Sequence, residues 1–200
     1  MGSSGRFKAV GFSIGNKGYV GTGVVGGSSR KDFWEWNRST DAWTQMADFG
    51  GTARSGAVGF SIGNKGYIGT GDDGSPFKND FWEWDQATNS WLQKANFGGT
   101  ARHNAVGFSI GAKGYIGIGS DGLLKQDFWE WDQATDTWIQ RSGFAGAPRN
   151  SAAGFSIAGY GYIGLGSASI FYQDFWQWDQ SSNTWTQKAD FGGLARAGAV

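Results

Sequence analysis

The 200-residue chain is 39% apolar and 16% aromatic, with 36 glycines, 2 prolines and no cysteine. That composition supports a sizeable core but argues against a helical bundle, and the missing cysteines exclude disulfides and thiolate metal sites in any compartment. Seventeen basic residues balance seventeen acidic ones, so no field draws in nucleic acid or an anionic membrane, and no apolar run approaches the roughly 20 residues that span a bilayer.

Residues 1–5, Met1-Gly2-Ser3-Ser4-Gly5, lack the apolar stretch of a secretion signal and read as a flexible leader or an expression scar. After them one unit is written four times, over residues 6–53, 54–101, 102–148 and 149–195, and residues 196–200 start a fifth. The tryptophans set the register: Trp34, Trp82, Trp129 and Trp176 are 48, 47 and 47 residues apart, and all twelve fall at three positions of the unit. A period of that length marks modules that stack on copies of themselves.

In the second unit, Ala57-Val58-Gly59-Phe60-Ser61-Ile62 alternates large and small side chains with the two-residue period of a strand. Gly63-Asn64-Lys65-Gly66 has hairpin chemistry and leads to a second strand expected over Tyr67–Gly71. A longer loop precedes the third, Asp80–Asp85, with Phe81 and Trp82 on opposite faces, and a polar turn precedes the fourth, Trp91–Lys94. A sheet that is aromatic on both faces needs a neighbour on each side. Radial stacking about an axis, with the small-faced first strand innermost, is the β-propeller solution, so the fold expected is all-β with four four-stranded blades.

These elements resemble the kelch repeat family: Arg54 opening the unit, the apolar first strand, Tyr67-Ile68-Gly69-Thr70-Gly71, the aromatic third strand and Trp91 after a polar turn. Two features depart from that pattern. The family's adjacent glycines are Gly-x-Gly here, as in Gly21-Thr22-Gly23, and its third-strand tyrosine is a tryptophan (Trp36, Trp84, Trp131, Trp178). The resemblance implies rings of six or seven blades with ligands bound on one funnel face. Four blades then belong to a longer array, or two copies join as a homodimer of eight, because uncovered terminal blades expose aromatic faces.

The scaffold positions barely change between units, but two windows do. One is the pair after the opening arginine: Phe7-Lys8, Ser55-Gly56, His103-Asn104, Asn150-Ser151 and Ala197-Gly198. The other is the loop between strands two and three: residues 24–31, 72–79, 120–126 and 167–173. An antiparallel hairpin puts both windows on one face. Twelve of fifteen phenylalanines belong to the scaffold, and the other three, Phe7, Phe77 and Phe171, fall in these windows. The candidate contacts are Ser55, His103, Asn104, Asn150 and Ser151 at the inner rim. From the loops come Asp72, Asp73, Phe77, Asp121, Leu124, Phe171 and Tyr172. Aromatics beside amides and carboxylates suit sugar stacking or a protein interface.

Catalytic chemistry is thinly represented. Glu35, Glu83 and Glu130 share one position where the fourth unit has Gln177, which points to a structural hydrogen bond, and Asp32, Asp80, Asp127 and Asp174 are expected to receive backbone donors or to pair with a repeated arginine such as Arg54. One histidine, His103, and the acids Asp72, Asp73 and Asp121 fall short of a catalytic or metal constellation, and the Asp72-Asp73-Gly74 loop is a weak calcium signal. The copper chemistry of galactose oxidase, a fold relative of the family, needs cysteine and several histidines. The sequence therefore reads as a non-catalytic, cofactor-free propeller segment binding a protein or glycan through one face. A self-assembling or adhesive array is the alternative, and a sugar mutarotase-like enzyme the least favoured reading.

Overall fold

The computed structural model describes residues 5–199; residues 1–4, most of the expected leader, and residue 200 lie outside the described residues. Blade 1 consists of β1 (Val10–Ile14), β2 (Lys17–Gly21), β5 (Phe33–Asn37) and β6 (Ala42–Gln45), with short β3 (Val24–Val25) and β4 (Ser28–Ser29) paired within its loop. Blade 2 consists of β7 (Val58–Ile62), β8 (Lys65–Gly69), β9 (Phe81–Asp85) and β10 (Ser90–Lys94). Blade 3 holds β11 (Val106–Ile110), β12 (Lys113–Gly117), β13 (Phe128–Asp132) and β14 (Thr137–Arg141). Blade 4 holds β15 (Ala153–Ile157), β16 (Tyr160–Gly164), β17 (Phe175–Asp179) and β18 (Thr184–Lys188). Each blade is an antiparallel sheet in sequential order, and the four are blades of a β-propeller.

The first hairpin of blade 2 turns through Gly63-Asn64, with Ile62 paired to Lys65. Gly63 takes φ +58°, the left-handed first position that a tight hairpin turn assigns to glycine. The second strand then ends at Gly69, two residues short of the Tyr67–Gly71 expected, and begins earlier, at Lys65. Thr70 at φ +60° and Gly71 at φ +106° break the extended backbone there. The same break recurs at Thr22, Ile118 and Leu165. A β-branched side chain in that region is strained, so something must hold it.

The repeated arginine does so. Arg54 is fully buried, and its Nη1 donates to the Thr70 carbonyl at 2.9 Å and to Asp80 Oδ1 at 2.5 Å, while Nη2 donates to Asp80 Oδ2 at 2.8 Å. Thr52 accepts the remaining donors. Asp80 also receives the Trp82 indole N–H at 2.8 Å. Arg6, Arg102 and Arg149 repeat the fork on Asp32, Asp127 and Asp174. The backbone of the same arginine serves the preceding blade, since Gly23 N–H donates to the Arg54 carbonyl at 2.7 Å, and Gly71 to that of Arg102 at 2.7 Å. One residue thus relieves the strain in its own blade and ties it to the last.

The period-2 alternation sorts side chains between two inter-blade layers. From blade 2, Val58, Phe60, Tyr67 and Phe81 pack forward on Ile116 and Trp131 of blade 3, while Ile68, Trp82, Trp84 and Trp91 pack back on blade 1. The aromatic edges meet at right angles, as in Phe33 against Trp91 at 5.1 Å and 71°, the geometry that ring quadrupoles favour. Each buried aromatic contributes roughly 1.5–3 kcal/mol. Glu35, Glu83 and Glu130 each accept the hydroxyl of the tyrosine opposite (Tyr19, Tyr67, Tyr115), and Gln177 instead donates to Tyr162 at 2.9 Å, which is why an amide can replace the acid. Among the described residues β1 touches β7, β7 touches β11 and β11 touches β15, but β15 does not reach β1. The four blades form an open arc.

Burial pushes the carboxyls of Asp80, Asp127 and Asp174 up, yet the arginine and indole donors hold each below the ordinary value. A depressed carboxylate stabilises the fold above its unfolded pKa and loses that contribution as pH falls through the folded value. The contribution of these three aspartates, measured by urea unfolding against their alanine variants, is therefore expected to be constant near neutrality and to fall below about pH 4. Arg102→Met is expected to cost about 3–5 kcal/mol by leaving Asp127 unpaired, and an unchanged urea midpoint would contradict the role given to the fork.

Candidate functional site

The two variable windows meet because the first hairpin of each blade continues past the strained Gly-x-Gly. Ser55 exchanges both backbone bonds with Asp72 at 2.8 Å, His103 pairs with Ser120, and Asn150 with Ser167. Phe7 pairs with Val24 in blade 1 in the same way. The second residue of each pair is left-handed, from Lys8 at φ +54° and Gly56 at +61° to Asn104 at +52° and Ser151 at +53°. Those residues carry a belt of backbone bonds across the arc: Gly56 N–H to Lys8, Asn104 to Gly56, Ser151 to Asn104 and Gly198 to Ser151, at 2.8–3.1 Å. The rim is therefore one hydrogen-bonded band from which the loops rise.

Within the band the polar candidates divide. Ser55 is buried and contributes backbone rather than a free hydroxyl. Asn104 and Ser151 are half-buried members of the belt, with Asn104 Oδ1 filling the space that a side chain at position 56 would need. Asn150 is half-buried beside the Ser167 hydroxyl at 3.4 Å. Asp72 caps its own loop through Gly74 N–H at 2.8 Å, and Asp73 pairs with Lys78 at 3.0 Å. Asp121 meets Lys125 at 2.6 Å, the Thr100 hydroxyl at 2.8 Å and Leu123 N–H at 3.1 Å. The Lys125 bond leads in pushing the Asp121 carboxyl down to about 2. All three acids hold loops in shape.

The aromatic candidates also take distinct places. Phe77 of blade 2 stacks on His103 of blade 3, centroids 4.5 Å apart at 22°. Burial lowers the His103 pKa, opposed by Asp72 and reinforced by Lys8. Tyr172 lies over the Arg149 guanidinium at 3.8 Å, so its ring closes the top of a buried fork. Leu124 and Phe171 occupy one loop position, bridged to Ser120 and Ser167, with Leu124 half-buried and Phe171 exposed. Phe7, Leu123 and Ile170 are exposed on the same face and were not among the candidates. Phe7 stands out in the sequence as a phenylalanine outside the repeated scaffold and Leu123 as a large apolar residue in a loop, whereas Ile170 carries no signal beyond its place in a variable window. Below the rim, the axis is a cavity of about 310 Å3 lined by the small faces of β1, β7, β11 and β15, such as Ala57, Gly59, Ala105 and Gly107. That lining offers no side-chain hydrogen bond, so the polar side chains near this end of the axis are those of the rim.

If burial under Phe77 sets the His103 pKa, the two neighbours act with opposite sign. An NMR titration is expected to show His103 moving up toward 6.5 in Phe77→Ala and further down in Asp72→Asn, which loses the attraction favouring the imidazolium. Equal pKa values in all three proteins would contradict the stacked geometry.

No family profile and no curated protein matches the chain. Among solved structures, one titled "Structure of YjhT" superposes with a TM-score of 0.81 at 16% identity, over 95% of this chain and 67% of that one. At that identity the likeness is one of fold, and the chain shares the YjhT-type propeller architecture.

Proposed function

We propose that the chain is a non-catalytic propeller segment whose variable face binds a protein or carbohydrate ligand. The observation that carries this reading is the exposure of Phe7, Leu123, Ile170 and Phe171, each more than half accessible, on loops rooted in a rigid hydrogen-bonded band. Large apolar groups at such loop tips are the material of interface anchors. The exposed aliphatics favour a polypeptide. Phe171 near the half-buried Asn150 keeps a sugar within the reading, because a free ring face beside an amide suits a pyranose.

The titratable groups support the non-catalytic part. The glutamates are bonded to tyrosines, Asp72 caps its own loop, Asp73 and Asp121 meet lysines, and His103 lies under Phe77 with a lowered pKa. A general acid or base needs a group free to exchange its proton with a substrate.

Selection of ligands from a glycan array and a displayed peptide library tests the reading. Ligands are expected to lose about tenfold or more in affinity on Leu123→Ser, Ile170→Ser and Phe171→Ala combined. They are expected to be indifferent to Leu92→Ser with Ile139→Ser, exposed apolar residues on the outermost strands. Loss in the second variant but not the first would move the site off the rim.

A further inference from the structure

We infer that the chain associates with a second copy of itself head to tail, the forward face of blade 4 on the back face of blade 1. Three junctions inside the chain already display the interface, and its two halves stand open at the ends of the arc. At each internal junction a first-strand phenylalanine enters a space left by a second-strand glycine. A Cβ at Gly66, Gly114 or Gly161 would collide with Phe12, Phe60 or Phe108 of the preceding blade. At Gly18 the nearest atom is Trp36 Cε3 of its own sheet, 3.9 Å away, and the matching Phe155 is 41% exposed, against 5% and 4% for Phe60 and Phe108. The knob and the hole are both present and both unused.

A second contact recurs at two of the three junctions: Gly50 and Gly98 press on Trp82 and Trp129 of the next blade, with Ala145 standing at the equivalent place in blade 3, whereas nothing lies within 4 Å of a Cβ at Gly192. Its counterpart is Trp34. Each internal junction also matches polar groups: Trp91 Nε1 donates to the Ala47 carbonyl at 3.2 Å and Ala47 N–H donates to Asn89 at 2.9 Å, as Trp138 and Asp136 do with Ala95. Trp43 and Asp41 on blade 1 and Ala189 on blade 4 are the matching groups at the ends. Cavities of about 500 Å3 at Phe155, Phe175 and Phe191, and about 210 Å3 at Gly18 and Trp36, mark the two open seats. A contact between two unlike faces of one molecule is heterologous, and it grows into a closed ring or an open series.

A built-in competitor occupies part of the seat. Gly166 N–H donates to the Arg196 carbonyl at 2.9 Å and Gly198 N–H to the Ser151 carbonyl at 2.8 Å, the bonds that the opening residues of a following blade make elsewhere. Residues 196–198 therefore stand where residues 6–8 of the second copy must go. The incoming segment is the better held, with Arg6 forked on Asp32 and Phe7 paired to Val24, while the Arg196 side chain donates to the Leu194 carbonyl at 3.0 Å. The tail is the one displaced.

Sedimentation velocity from micromolar to millimolar chain tests this. The unaltered chain is expected to gain mass with concentration, and deletion of residues 196–200 to tighten association about tenfold by removing the competing hydrogen bonds. Gly18→Leu fills the hole without touching an internal contact, and Phe155→Glu spoils the knob. Gly18→Leu is expected to keep the circular dichroism spectrum and urea midpoint of the parent, and Phe155→Glu, which also gives up its ring contacts to Tyr162 and Phe175 at 5.4 and 5.8 Å, to keep the spectrum; each is expected to weaken association about tenfold or more. Mixed one to one, they are expected to form dimers and nothing larger, because one intact forward face and one intact back face remain. A chain that stays monomeric throughout, association untouched by Gly18→Leu, or a mixture that stays monomeric would each overturn the inference.

Discussion

Phe33, Phe81, Phe128 and Phe175 each stand beside a tryptophan on the adjoining residue of the same strand, and neighbouring residues of a strand point to opposite faces. Neither ring can be left in water without losing the free energy that forms the sheet. Every third strand must therefore be covered on both sides, and a sheet with this constraint has no stable existence alone. Stacking the unit on its siblings satisfies the constraint once per junction. The small faces of the first strands let the sheets converge toward a common axis, where Gly59 meets Val10 and Gly107 meets Val58.

The arginine fork converts that stacking into a fixed geometry. Its side chain pins the left-handed residue that ends the second strand, and its carbonyl receives an N–H from the blade before. The two variable windows are consequently held in register from blade to blade, and the belt through Lys8, Gly56, Asn104 and Ser151 is the visible result. Side chains in the windows can change while the backbone beneath them does not. A surface built this way separates recognition from folding, which is the physical basis of the binding function proposed for it.

Much of the architecture was legible because it depends on period alone. The alternation in Val58-Gly59-Phe60-Ser61-Ile62 and the paired Phe81-Trp82 decide which side chains share a face, and a repeated arginine with a repeated aspartate leaves few partners for either. The end of the second strand was not legible, since Thr70 is a good strand residue whose left-handed backbone is imposed by Arg54 from another part of the unit. The rim was legible as a region and much less so as a set of side chains. Asp73 and Asp121 look like free acids until the loops fold back and bring Lys78 and Lys125 to them. Tyr172 looks like an exposed aromatic until it is seen lying on Arg149, and Ile170 carries no mark beyond its place in the window. Loop contacts of this kind have no periodicity to read.

The claim on which the rest depends is that a single blade cannot hold its own fold. It is tested most directly by a peptide of residues 54–101, one complete blade, studied by far-ultraviolet circular dichroism and tryptophan emission beside the whole chain. The account predicts a disordered peptide with water-exposed indoles, and a whole chain with sheet structure and shielded ones. A peptide that unfolds cooperatively from a sheet, with its indoles shielded, would contradict it.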